Sequence, residues 1–543
     1  MLRKLLFTLL STINFTFSQN TIGTTVISEG VYEGYTLFTS QNDTYLINNC
    51  GELINQWSSS FPPGNAVYLL ENGNILRAGR SNSSDISFGG QGGVIEIFDW
   101  DGNLTWQYFY DTPMMRQHHD VYPMPNGNVL ILAVTRITNS EALQAGRNPM
   151  NLTESDLYNE QIIEVTPVDS NNATVVWEWN VKDHLVQDFD NSKDNFGDVG
   201  LSPEKLNINF LNGGSGGSNW LHFNSIQFNP VLDQIVISSR NLSEIYIIDH
   251  STSTAEAASS SGGIYNKGGD LLYRWGNPQS YNQGTETNRK LYGQHYPHVI
   301  SNGLVDAGKI IIYNNGNGRS PLFSEVFIIN PETNSPGVYT YQSDTAFGPQ
   351  DPEYIYFNTT SPNEFFSNIL SSAQRLPNGN TLICEGINGR FFEITPSESI
   401  VWEYINPVNS TNGNIAEQET EPSTFTNTTF RGIKYAPTYA AFTGKDLTPS
   451  TPLELNPDIS ACQTLGIIDT LQVTNSLHPN PTKAQININS NIVIDKIEAY
   501  TTLGRKVNES HSNILDLSNE ANGIYFLRIY SESKIITKKV IKN

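Results

Sequence analysis

From residue 34 to residue 437 the chain alternates two patterns of apolar and polar positions. In the first, an apolar run, a polar turn and a second run ending near Trp or Tyr follow one another. It recurs as YLINNCGELINQW (45–57), VIEIFDWDGNLTWQY (94–108), QIIEVTPVDSNNATVVWEW (161–179), YIIDHST with LLYRW (246–275), VFIINPETNSPGVYTY (326–341) and FFEITPSESIVWEY (391–404). The second pattern is a short run, a turn and a longer apolar run: NAVYLLENGNILRAG (65–79), HDVYPMPNGNVLIL (119–132), HFNSIQFNPVLDQIVISSR (222–240), HYPHVISNG with KIIIYNNG (295–316) and SSAQRLPNGNTLICEG (371–386). Asn-Gly between apolar runs is a hairpin signal, because both residues tolerate positive φ. Each copy of the second pattern falls between two copies of the first, which predicts four-stranded antiparallel units in series.

Serial units of this size describe a β-propeller. Residues 34–57 supply three strands with no innermost strand, and TFRGIKYAP (429–437) supplies an innermost strand with no outer ones. Pairing the two predicts an all-β fold, a six-bladed propeller over 30–444 closed by its N- and C-terminal strands, which removes exposed edges. A pair of β-sandwiches or a seven-bladed ring with one degenerate blade are the alternatives. The insertion 180–218 interrupts the repeat; its DHLVQDF reads as a short helix or turn, and so long a loop is expected to cover one face.

Composition narrows the class. The 543 residues exceed one ordinary core. Net charge is −23, which argues against nucleic-acid binding, since nothing would neutralise phosphates. Residues 1–19 carry a basic start (Arg3, Lys4) followed by an apolar run, as in a secretory signal peptide. Three cysteines, Cys50, Cys384 and Cys462, permit at most one disulfide and lack zinc-site spacing. Segment 445–470, rich in Pro, Thr and Ser, reads as a linker. Residues 471–543 alternate short strands and turns, as in a small β-sandwich. HPNPT, Gly504 in LGRKV, LDLS with NGIYFLRI and the basic finish KKVIKN resemble the C-terminal sorting domain of the type IX secretion system of Bacteroidetes. That resemblance implies export through the periplasm, a secreted or cell-surface location and the secretion machinery as a partner. An ordinary accessory sandwich is the alternative.

Aligning the second pattern on its turn gives the candidate chemistry. His119, His222 and His295 each stand seven residues before the turn residues Asn126, Asn229 and Asn302, in a slot held by Asn65 and Ser371 in the other copies. Equivalent positions of propeller blades face a common axis, so the three imidazoles are expected to converge. Arg240, at the end of SSR, should return alongside His222 and offers a charged planar fork for oxyanions. No Asp or Glu shares the register, so an anion site is favoured over a metal site. Asn224, His118 and His298 are secondary candidates. Tyr292, Tyr296 and Trp220 flank the histidines as stacking or core residues. His184, His250, His478 and His511 are assigned no role.

Residues 34–440 resemble the bacterial arylsulfotransferases. The marks are QHHDVYPMPNGNVLIL, HFNSIQFNPVLDQIVISSR, LYGQHYPHVI and IIIYNNGNGR. The resemblance implies ping-pong transfer of a sulfuryl group from a phenolic sulfate donor to a phenol acceptor through a sulfohistidine on His295. His119, His222 and Arg240 would bind the sulfate, with no metal and no cofactor. The chain also lacks a P-loop. The resemblance leaves natural substrates and oligomeric state open. Competing readings are a metal-dependent propeller hydrolase such as a lactonase, and a non-catalytic secreted binding propeller.

Overall fold

The computed structural model describes residues 20–462, 475–490, 494–502, 504–531 and 534–543. The expected signal peptide lies outside them. The chain divides after Ile459 into two compact units.

The first unit contains six antiparallel sheets of four or five strands. The first comprises Pro63–Leu69, Ile75–Arg80, Gly93–Phe98 and Leu104–Phe109. The second comprises Met115–Pro123, Val129–Thr138, Asp156–Pro167 and Ala173–Asn180, with the short strand Asp111–Thr112 at its edge. Phe223–Asn229, Gln234–Ser239, Glu244–Asp249 and Tyr273–Trp275 form the third. His295–Val299, Ile310–Asn314, Glu325–Ile329 and Tyr354–Tyr356 form the fourth. The fifth comprises Ser372–Arg375, Thr381–Glu385, Arg390–Ile394 and Ile400–Ile405. The sixth joins Ile433–Tyr435 to Tyr35–Ser40, Asp43–Ile47 and Leu53–Ser58, with Leu37 opposite Ile433. This is the pairing of distant segments anticipated above. A strand not anticipated, Gly23–Ile27, adds to the outer edge of the fifth sheet through Ile400–Ile405 and covers that edge.

Consecutive sheets touch along their first strands or, between the fourth and fifth, next to the fourth sheet's second strand. Tyr68 donates to Asp120, the Ile226 N–H donates to Asp120, and the Asn224 amide donates to the Gln294 carbonyl. Asn315 donates to the Leu370 carbonyl, Gln374 and Lys434 exchange two hydrogen bonds, and the Leu69 N–H donates to the Tyr435 hydroxyl. Apolar clusters lie between neighbours. Ala78, Ile95 and Trp106 pack on Ile131, Ile163 and Val165, and Leu46 and Trp57 pack on Val67, Leu69 and Ile75. Each Ile, Leu or Val side chain among them contributes about 1.5–3 kcal/mol when fully buried.

The recurrent tryptophan has a structural reason. The indole N–H of Trp57 donates to the Asp99 carbonyl, Trp106 to Asn172, Trp275 to Pro349 and Trp402 to Asn49; Trp177 donates to the Thr252 hydroxyl. Each bond runs from the last strand of one sheet to a loop of the next. A buried indole needs a partner for its one donor, and here the partner ties neighbouring sheets together. In the fourth sheet Tyr356 takes this place, packing on Phe392 of the fifth.

Within the 180–218 insertion, Val181–Asp183 forms a single 3₁₀ turn and Leu185–Val186 pairs in parallel with Leu206–Asn207. Residues 445–459, read from composition as linker, bond to the first unit: the Ser450 N–H donates to Leu53 O and the Leu455 N–H to Ala416 O. Cys384 is a free, buried thiol. The second unit holds a three-stranded and a four-stranded antiparallel sheet sharing a core of Ile486, Ile488, Ile497, Leu515, Leu527 and Ile529.

Candidate active site

The first strands of the second, third and fourth sheets each contain a bulge, and the histidines sit at these bulges. His119 lies in the irregularity between Gln117 and Val121, with φ +51°. His222, also at φ +51°, directly precedes the bulge between Phe223 and Ser225. His295 precedes the bulge that ends at His298, but there the positive φ falls on Tyr296, at +50°. Asn65 and Ser371 take the same left-handed conformation, at +91° and +90°. The backbone signature of the repeat slot is thus shared by four of the five aligned residues and displaced by one at His295. A bulge re-aims side chains next to it, which lets imidazoles on different sheets face one space.

His119 and His222 meet with ring centroids 4.7 Å apart. Phe430 bridges to the third ring, 6.3 Å from His119 and 6.5 Å from His295. The Arg240 backbone N–H donates to the His222 carbonyl at 3.1 Å, which fixes the start of its side chain beside this strand. Its charge bears on all three imidazoles.

Each histidine commits its Nδ1 to a fixed partner. His295 Nδ1 lies 2.7 Å from Asn315 Oδ1, and the Leu370 N–H meets His295 Nε2 at 3.2 Å. Asn315 is oriented by its own amide group, which donates to the carbonyls of Ser367 and Leu370 at 2.7 and 3.0 Å. Its Oδ1 therefore accepts from His295, so the proton is on Nδ1 and Nε2 keeps a lone pair. His222 Nδ1 accepts from Asn219 Nδ2 at 2.6 Å, leaving His222 its proton on Nε2. His119 Nδ1 faces His118 Nδ1 at 2.9 Å. The arrangement yields one nucleophilic nitrogen and at least one fixed donor.

Electrostatics keep the imidazoles neutral. Burial, then the nearby Arg240 charge, push His295 down to about 3. Burial likewise lowers His119 well below the ordinary value, reinforced by the neighbouring His222, and lowers His222, reinforced by Arg240. The carboxylate next to His119 in sequence, Asp120, faces away into an ion pair with Arg431 at 2.9 Å. Arg431 stacks on Tyr296 and Phe430, 4.0 and 4.4 Å from their centroids.

The secondary candidates divide. His118 touches the site through His119. Asn224 is fully buried, donates to the Gln294 carbonyl and leaves its Oδ1 without a partner. His298 does not join the set. It lies 4.5 Å from the Tyr296 ring and lines a different cavity of about 420 Å3 with Tyr68, Tyr122 and Tyr435. Tyr292 is occupied by Arg289, whose guanidinium stands 4.3 Å over its ring. Trp220 shares a cavity of about 390 Å3 with Phe88, Tyr158, Asn219 and Asn241. Phe88 also packs on His118, His119 and His222, at 5.1, 6.4 and 6.0 Å between centroids. The loop carrying it comes close: Gly90 accepts from the His119 N–H at 2.7 Å, and a Cβ there would fall 2.1 Å from the His119 ring.

Phe88, Asn219, Asn315 and Arg431 were not anticipated from sequence. The glycine-rich FGGQGG around Phe88 was a signal for close backbone approach, and NNG after the fourth sheet's second strand marked a constrained turn at Asn315.

The Arylsulfotransferase (ASST) family profile matches residues 40–431, and the Secretion system C-terminal sorting domain profile matches residues 476–543. No curated protein matches the chain. Among solved structures, a protein of unknown function from Bacteroides caccae is 11% identical, with 74% of this chain and 98% of that one covered and a TM-score of 0.39. A putative 6-phosphogluconolactonase from Bacteroides fragilis is 8% identical, covering 75% and 99%, with a TM-score of 0.33. Virginiamycin B lyase from Staphylococcus aureus is 12% identical, covering 64% and 71%, with a TM-score of 0.29. Likenesses this distant say nothing of activity.

Proposed function

The chain belongs to the arylsulfotransferase family and ends in a type IX sorting domain that marks it for the medium or the cell surface, and from this premise we propose that it is an aryl-sulfate sulfotransferase working by a ping-pong mechanism. Its first unit is read as a six-bladed propeller over 30–444. The side-by-side first strands of six successive sheets and the joining of Ile433–Tyr435 to Tyr35–Ser40 support that reading.

In the first half-reaction His295 Nε2 attacks sulfur of a phenolic sulfate. The S–N bond forms as the S–O(aryl) bond breaks, and the phenolate leaves and takes a proton. In the second, a phenol oxygen attacks the sulfohistidine, gives up its proton and restores His295. Arg240 and the His222 Nε2–H hold the sulfuryl oxygens, joined by the Leu370 N–H once His295 Nε2 has given its lone pair to sulfur, and fixed donors of this kind stabilise charge as it develops. Transfer of this loose type depends mainly on position and electrostatics. His119 exchanges protons with the departing or arriving oxygen. The cavity under Phe88 and Trp220 accommodates the aryl ring. Both substrates are small molecules, and no cofactor enters the steps.

The observation that carries this reading is the Asn315–His295 contact beside Arg240: a buried, neutral imidazole whose one lone pair, on Nε2, meets a single backbone N–H next to a permanent cation. The test is to incubate the purified protein with 35S-labelled nitrophenyl sulfate and isolate the protein. Label that is stable to base and labile to acid, absent from His295→Ala together with all turnover, is expected. Unchanged turnover by His295→Ala overturns the assignment.

A further inference from the structure

Proton traffic in such a reaction is demanding, because a phenolate must be protonated in one half-reaction and a phenol deprotonated in the other. His119 is poorly suited to hold the proton as an imidazolium, since burial and His222, His118, His295 and Arg240 around it all disfavour charge. It is, however, one end of a buried chain. His119 Nδ1 faces His118 Nδ1 at 2.9 Å, with the rings nearly perpendicular at 84°. His118 Nε2 meets Glu160 Oε2 at 2.9 Å, and the other carboxylate oxygen accepts the Phe223 N–H at 2.8 Å. Both side chains of the His118–Glu160 pair are all but inaccessible to solvent, and among the described residues His118 is the only ion-pair partner of Glu160.

Two facing Nδ1 atoms form a hydrogen bond only if one of them carries a proton. That leaves two arrangements. In one, His118 is protonated on both nitrogens and donates to Glu160 and to His119, whose proton then sits on Nε2. In the other, His118 keeps only the proton on Nε2, His119 donates from Nδ1, and His119 Nε2 is a lone pair. The two differ by one proton. Glu160 stays ionised and His119 stays neutral in both.

We propose that Glu160, His118 and His119 form a proton relay serving both half-reactions. This rests on the sulfuryl-transfer reading above. When the S–O(aryl) bond breaks, the Nε2 proton of His119 passes to the phenolate while the Nδ1 proton of His118 moves to His119 Nδ1. When the acceptor attacks, its proton enters at His119 Nε2 and the Nδ1 proton returns to His118. The relay ends each cycle as it began, and Glu160 supplies the counter-charge that a buried imidazolium needs. Glu160 and His118 are positioning residues; of the three, only His119 reaches the reacting atoms.

The experiment compares aryl sulfate donors from dinitrophenyl to alkylphenyl sulfates. A poor leaving group needs the proton most, so Glu160→Gln is expected to lose activity severalfold with the first and about 100-fold with the last. His118→Gln should follow the same gradient. Equal losses across the donors, or none, overturn the relay. The wild-type protein supplies a readout independent of variant folding. With an alkylphenyl sulfate, the rate plotted against deuterium content should curve, since two protons move together; a straight line or no isotope effect overturns the proposal. If the wild-type enzyme transfers sulfate to no phenol and traps no label, the sulfotransferase reading itself has failed, which is a different result.

Discussion

Asn315 Oδ1 and His295 Nδ1 stand 2.7 Å apart, and the Asn315 amide nitrogen is held by two backbone carbonyls, so the imidazole keeps one tautomer. Replacing Asn315 by Leu leaves a buried N–H unpaired and frees the ring to turn. A loss of about 1–3 kcal/mol in positioning corresponds to a fall of roughly 5- to 150-fold in kcat. Single-turnover labelling of His295 measures it, and KM for the donor should change little.

The depressed basicity of the buried histidines predicts the pH response of the reaction. With His295 at about 3, the nucleophile is already neutral far below the ordinary imidazole range. The rate of sulfo-enzyme formation from dinitrophenyl sulfate should therefore show no inflection near the usual histidine value.

Stability should respond differently. Folded values lie below the unfolded one, so between them the unfolded chain binds more protons and stability is lost as pH falls from about 6.5. His298, which burial takes down to about 4, contributes one such group away from the histidine set. His298→Gln should flatten the slope of unfolding free energy against pH by up to about 1.4 kcal/mol per pH unit in the window from 6.5 to 4. Urea unfolding at a series of pH values checks this.

Asp120 and Arg431 are both fully enclosed, and Asp120 also receives the Tyr68 hydroxyl and the Ile226 N–H. Removing one partner of a buried pair costs about 3–5 kcal/mol. Asp120→Asn should lower the thermal midpoint accordingly, and the double change Asp120→Leu with Arg431→Met should recover part of the loss. Calorimetry reads both.

Gly90→Ala would set a Cβ 2.1 Å from the His119 ring, on a backbone at φ +86°. Overpacking of this kind costs about 1–3 kcal/mol. Transfer should fall at least tenfold as His119 is displaced. Gly102→Ala has the same φ but open space around the added carbon, so it should leave transfer unchanged. Steady-state assays of the two proteins separate backbone strain from displacement of the ring.

The repeat was legible because most sheets carry the same residue types at the same places. The NGN turns mark the hairpins, and the Trp that ends a unit is the one that bonds to the next sheet. The union of residues 34–57 with 429–437 followed from counting strands. Gly23–Ile27 escaped because it adds to a sheet already complete in the repeat count. Of the histidine set, the convergence of His119 and His222 with Arg240 beside them was readable as register. His295 was found by the same count, although its backbone is offset by one at Tyr296. Asn315, Glu160 and Phe88 were not readable. They come from a turn, an outer strand and a connecting loop, and reach the site through three-dimensional packing that no single repeat position encodes. His184 and His250, given no role from sequence, are bonded to Asp270 and the Ala257 carbonyl, and to Asp233 and Glu164, respectively.

The union of Ile433–Tyr435 with Tyr35–Ser40 sets an order of events during synthesis. Nearly four hundred residues separate Ser40 from Ile433 and all must leave the ribosome before the sixth sheet can receive its first strand, and Arg431, the counter-ion of Asp120, arrives with that same segment. A chain stopped short of it carries every histidine of the set, yet leaves a carboxylate stranded in the interior and a strand edge open to other molecules. Completion of the fold and maturation of the site are therefore one event, timed by the last tenth of the domain to emerge.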